Sequence, residues 1–217
     1  MRSNREQHAR RVQIPVEPRP LRRSLLWAWP TVPLPDYPRD RLTISYHEAG
    51  HIVLTALQNL KPDLATVESD LNGRVTFDVE HYRDGTPRRR AQADYPIPRC
   101  KEAEDAAIEL AVMFFGGMVA ELLFHRLQVG GWLGLEIPDW HRARTVLHLG
   151  FGHDLARFFC QQLARAVLSE HWPAVQDLAE ALASQGELGA GAIERICADR
   201  LPVCTATHRP ILAGLRY

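Results

Sequence analysis

His47, Glu48 and His51 stand together in ISYHEAGHIV, residues 44–53, as His-Glu-x-x-His. On a helix, residues four apart lie on one face, so both imidazoles can reach a single metal ion. Imidazole nitrogens suit Zn²⁺, which takes about four ligands and keeps one position open in a catalytic site. Glu48 follows His47 directly and is angled off the ligand pair while staying close to an attacking water. A carboxylate there can take a proton from that water and deliver it to a leaving amine. With ten histidines and 14 glutamates in 217 residues, chance produces roughly 0.03 copies of this pattern. The competing reading is a buried helix whose histidines are satisfied by hydrogen bonds. The motif's place inside a capped, amphipathic segment favours the metal.

Two histidines do not complete a zinc site. The extended pattern that adds a glycine and a third histidine is absent, because those positions hold Leu54 and Leu57. The third ligand must come from further along the chain, with Glu109, Glu121 and Asp139 as candidates that spacing alone does not separate.

The elements that must position these groups are readable in outline. A helix is expected over 43–60, capped by Asp40 or Thr43, with Ile44, Ile52, Val53, Ala56, Leu57 and Leu60 on its apolar side. Lys61-Pro62 should end it, since the residue before proline avoids helical backbone. ATVESDLNGRVTFDVE, 65–80, predicts a β-hairpin with Asn72-Gly73 between its halves. A polar loop with Arg88-Arg89-Arg90 fills 81–100. A long apolar helix should begin at Glu102 and contain Gly116-Gly117. Adjacent helical glycines cost about 1 kcal/mol each relative to alanine, tolerable where another helix or a ligand-bearing backbone must approach closely. Further helices are expected at about 139–149, 153–171, 172–185 and 189–199.

Composition narrows the classes. Hydrophobic residues are 46% and charged residues 24%, as in a globular domain, and the net charge is zero with histidine neutral. Nothing global points to nucleic acid. Of 26 basic residues only Lys61 and Lys101 are lysine. Cys100, Cys160, Cys197 and Cys204 form no Cys-x-x-Cys pair, which argues for reduced structural thiols. No stretch reads as a membrane span or a secretory signal, so a cytoplasmic location is expected. Residues 1–40 are rich in Arg and Pro and predict a flexible arm, 41–200 a single domain, and 201–217 a tail. His141, His148 and His153 suggest exposed helical histidines more than a second metal site. Trp132 and Trp140, flanking Asp139, could line a cleft or pack in the core.

The segments also match a known pattern. YHEAGH at 46–51 resembles the motif that opens the protease domain of the FtsH family of ATP-dependent zinc metallopeptidases. VESDLNGRVTFDVE sits where that family has a short hairpin beside its cleft. FFGGMVAELLF, 114–124, is similar to its M-G-G-R-A-A-E-E-L-I-F segment. PDWHRARTVL, 138–147, is similar to its N-D-I-x-x-A-T-x-L helix, and LAEALASQGELGAGAIERI, 178–196, resembles its closing helix pair. The likeness spans about 40–198.

The resemblance implies a mainly α, helical FtsH-like peptidase domain with a small β-hairpin beside the zinc-binding helix. It implies zinc on His47, His51 and Asp139, with Glu48 as general base and Glu121 as the reserve candidate, orienting a ligand histidine. The implied function is a zinc-dependent metalloendopeptidase acting on protein or peptide substrates. The alternative is a catalytically inactive FtsH-like binding or adaptor module that docks on a separate ATPase or other partner. A separate ATPase or a homo-oligomer is the partner the family suggests. The chain departs from the family in several places. Neither lysine lies in a G-x-x-x-x-G-K-[ST] context, so no Walker A motif is present. Met118 stands where arginine is usual, Pro138 replaces an asparagine, and the loop at 81–100 is longer.

Overall fold

Asp40 starts the helix around which the fold is built. Its backbone is extended, and its carboxylate accepts the Thr43 N–H at 2.8 Å, satisfying one of the donors a helix leaves unpaired at its start. That bond holds the Asp40 carboxyl below its ordinary pKa. The helix, α1 (Arg41–Ala56), is buried on nearly every side. It stops earlier than the expected residue 60, with Leu57 as its C-cap, because the chain must already be extended when Pro62 opens the next element.

The structure is a computed structural model that describes residues 40–58, 61–68, 72–77, 101–127, 138–151 and 156–202. All of them fall in the unit Thr31–Tyr217. The expected N-terminal arm, apart from Asp40, the loop at 81–100, the tail beyond Pro202, and Trp132 and His153 lie outside the described residues. Among the described residues the fold is mainly helical, with one small three-stranded antiparallel sheet.

Strands β1 (Pro62–Val67) and β2 (Gly73–Phe77) form the expected hairpin, with a different turn. Gly73 is not at the turn's centre. It is the first residue of β2, opposite Val67, and the Glu68 N–H donates to the Asn72 carbonyl at 2.8 Å. This register keeps Ala65 and Val67 buried, whereas a one-residue slip would turn them outward. A third strand, β3 (Glu187–Gly189), pairs with β1 on its other side and buries Leu188. Three residues are too few to show an alternating pattern, so the sequence reading missed it.

The remaining helices are α2 (Lys101–Phe124), α3 (Pro138–Phe151), α4 (Arg157–Glu170), α5 (Trp172–Gln185) and α6 (Ala190–Arg200). Pro173 separates α4 from α5 by removing a backbone donor, and Gly186, in the left-handed region at φ 80°, closes α5. The Gly186 carbonyl then accepts the Val67 N–H at 2.8 Å, tying this corner to the sheet. Helix α2 is the hub, packed on α1, α3 and α4. Contrary to the expectation that no stretch reads as a membrane span, Ala107–Phe124 has the length and apolarity of one, but 83% of it is buried against the rest of the fold, as in a central core helix. Phe115 meets Trp140 edge-to-face with centroids 5.4 Å apart, so Trp140 belongs to the core and not to a cleft wall. Tyr46 stacks between Phe124 and Trp172, at 4.1 and 5.4 Å. Cys160 and Cys197 are free thiols, and burial pushes both up to about 12.

Candidate metal centre

The crossing of α1 and α2 is set by glycine. A methyl group on Gly50 would lie 2.7 Å from Ala120 Cβ, and one on Gly116 would lie 3.0 Å from the Gly50 carbonyl oxygen. The two backbones are therefore in contact, which accounts for the cost of glycine within both helices. Gly117 has a separate role. A methyl there would overlap the His47 imidazole, so the second glycine of the pair makes room for that ring.

This close approach lets α2 orient both histidines of α1. His47 Nδ1 lies 2.5 Å from Glu121 Oε1, with both side chains buried. His51 Nδ1 donates to the Met113 backbone carbonyl at 2.8 Å. A helical carbonyl keeps a second lone pair for such a bond. Both acceptors demand an N–H on Nδ1, which leaves each neutral ring with a lone pair at Nε2.

The two Nε2 atoms are 3.1 Å apart. Asp139, in the first turn of α3, brings Oδ2 to 3.2 Å from His51 Nε2 and 3.4 Å from His47 Nε2. Its other oxygen, Oδ1, accepts from Arg142 Nη1 at 3.0 Å, one turn along the same helix. Three electron-rich atoms thus converge, an arrangement that repels itself unless a cation or a proton sits among them. Tetrahedral zinc with ligand bonds of about 2.0–2.1 Å has ligand–ligand edges of about 3.3 Å. The observed 3.1, 3.2 and 3.4 Å fit that edge. Among the described residues, His47, His51 and Asp139 are the group able to hold a metal ion.

Without a metal, a proton answers the same demand. Burial disfavours the His47 imidazolium, but the hydrogen bonds to Asp139 and Glu121 outweigh it and push the pKa up to about 10. Burial acts to raise the Asp139 carboxyl, yet its bonds to His47 and His51 hold it far below the carboxylate range. Glu48 is buried against this cluster. Burial raises its pKa, opposed by the charges of His51 and His47, and the net shift is upward. A carboxyl tuned upward is suited to moving protons near neutral pH.

The three sequence candidates for the third position end in different places. Asp139 joins the two histidines, Glu121 stands behind His47, and Glu109 is buried further up α2, where its backbone carbonyl accepts Gln58 Nε2 at 2.8 Å. His141 and His148 are exposed on α3 and belong to no such group. Sequence reasoning missed the Met113 carbonyl, Arg142 and the roles of Gly73 and Gly117. Only Arg142 leaves a readable signal, its three-residue spacing from Asp139 on a helix.

No protein-family model matches this chain, and no curated protein matches it.

Proposed function

We propose that this chain is a zinc-dependent metalloendopeptidase of FtsH-like type, acting on protein or peptide substrates. The observation that carries the reading is the convergence of His47 Nε2, His51 Nε2 and Asp139 Oδ2 at zinc-like edges beside a buried glutamate. The helix–hairpin–helix–helix order from α1 to α3 and the closing pair α5 and α6 agree with the FtsH-like motif order and support the finer assignment.

His47, His51 and Asp139 would hold the zinc. Bound there, zinc supplies polarisation of the scissile carbonyl and acidification of the attacking water. Glu121 and the Met113 carbonyl keep both Nε2 lone pairs aimed at one point. Glu48 takes a proton from the water as its oxygen bonds to the carbonyl carbon. It returns that proton to the amide nitrogen as the C–N bond breaks, so that water is added across the peptide bond to leave an acid and an amine. The resemblance adds a separate ATPase, or a second copy of this chain, as a proposed partner.

The test is metal analysis with a paired activity assay. Purified protein should contain one zinc per chain and cleave unfolded casein, and chelation should abolish cleavage. Glu48→Gln should retain the zinc and lose cleavage by about 10²–10⁴-fold. Absence of stoichiometric zinc, or unchanged cleavage by Glu48→Gln, refutes the reading. Zinc without turnover in the wild-type protein favours a binding module instead.

A further inference from the structure

Gly73 opens β2 on an exposed stretch of chain, while Glu48 beneath it is buried. A Cβ built on Gly73 would overlap the Glu48 carboxylate. Its three nearest atoms are Glu48 Oε1, with which it collides, and Glu48 Cδ and Cγ, both at 2.7 Å. The backbone does not require glycine here. Among the described glycines only Gly186 has a positive φ, and glycine within a strand weakens it. What remains as a reason for glycine at 73 is space for the carboxylate.

The strand is also fixed where it meets Glu48. Gly73 pairs with Val67, the Val67 N–H is held by the Gly186 carbonyl, and the neighbouring Asn72 carbonyl is held by the Glu68 N–H, both at 2.8 Å. A retreat of Gly73 would strain the Glu68–Asn72 bond beside it and its register against Val67. A glutamate side chain has three rotatable torsions and needs a boundary to stay in one place.

We propose that Gly73 is a positioning residue for Glu48. The backbone at the start of β2 forms a wall that keeps the carboxylate beside His47, His51 and Asp139, and a side chain at 73 would push the carboxylate out of that place. The role in catalysis rests on the peptidase reading above, whereas the contact itself does not.

Gly73→Ala, Glu48→Ala and the double variant separate the two. Zinc content, melting temperature, kcat and KM are measured for each. Gly73→Ala should keep one zinc per chain and lose about 100-fold or more in kcat, the general-base share, with KM little changed. It should also lower the melting temperature in the wild-type background and do so far less in the Glu48→Ala background, where the methyl has room. That stability coupling is readable even if no wild-type peptidase activity exists, so failure of the peptidase reading is distinguishable from failure of this one. If Gly73→Ala alone does not fold, a folded double variant supports the contact. Equal destabilisation in both backgrounds, or a double variant that also fails to fold, overturns it by making the glycine a requirement of the strand itself. Coupled stability with unchanged kcat in an active protein overturns the positioning role.

Discussion

Gly117→Ala is the sharpest test of the site's construction, because one methyl group is aimed at one proposed zinc ligand. The added carbon would overlap the His47 ring, with even Cε1 only 2.6 Å away, against 3.4 Å for an ordinary contact. The ring cannot turn aside freely, since Nδ1 is held by Glu121 and the surroundings are buried. It must withdraw by roughly 1 Å, several times the 0.2 Å or so that a metal–ligand bond tolerates. His47 is then lost as a ligand. The metal-free protein should also be destabilised by about 1–3 kcal/mol through overpacking. The assay is thermal unfolding with and without zinc. At a hundredfold excess over Kd, bound metal stabilises a fold by about 2.7 kcal/mol. For a domain of this size that raises the melting temperature by roughly 5–11 °C. Wild-type protein should show that rise and Gly117→Ala should not. Gly116→Ala makes a contrast within the same pair: it strikes Leu54 and the Gly50 backbone, so it should lower the metal-free melting temperature yet keep a zinc-dependent rise. A full zinc-dependent rise in Gly117→Ala refutes the placement of His47.

Two further outcomes are expected. His47 carries a proton in the metal-free site up to about pH 10, and that proton must leave as metal enters. Apparent zinc affinity should therefore climb with pH through the neutral range, and a flat profile between pH 6 and 9, read with a competing chromophoric chelator, counts against the shared site. The same raised pKa stabilises the metal-free fold fully below the ordinary histidine value of about 6.5, and the contribution is lost as pH rises through about 10. At the start of α1, Asp40→Ala should cost about 1 kcal/mol in denaturant titrations at neutral pH. Because the cap lowers the Asp40 pKa, its contribution is present above the ordinary carboxylate range and disappears as acid protonates it. An Asp40→Ala deficit of equal size at acid and neutral pH contradicts the cap.

The helices were legible because long apolar periodicity survives in any context. α5 falls on its expected span, 172–185, α3 and α6 fall within about two residues of theirs at both ends, and α2 begins within one residue of its expected start. α4 was expected from 153 and begins at Arg157, and α1 ends four residues early. β3 was not legible, since its three residues become a strand only by pairing with β1. The turn of the hairpin was misplaced for a related reason. Asn72-Gly73 is favourable turn chemistry, but burial of Ala65 and Val67 set the register, and Gly73 went into the strand.

For the site, the amino-acid sequence by itself determined that His47 and His51 share a helical face and that Glu48 lies beside them, because a spacing of four on a helix is local geometry. It also reduced the third position to three carboxylates. Spacing did not choose among those; the resemblance pointed to Asp139, and tertiary packing is what brings it to the histidines. Asp139 is 88 residues from His51 along the chain, and only the packing of α3 on α2 and of α2 on α1 carries its Oδ2 to the two Nε2 atoms. The partners that aim the rings, a carboxylate from Glu121 and a backbone carbonyl from Met113, come from the same crossing. So do the meanings of the glycines. A sequence records only that Gly73, Gly116 and Gly117 lack side chains. What each leaves room for depends on which atoms from distant segments arrive there: the Glu48 carboxylate at Gly73, the α1 backbone at Gly116 and the His47 ring at Gly117.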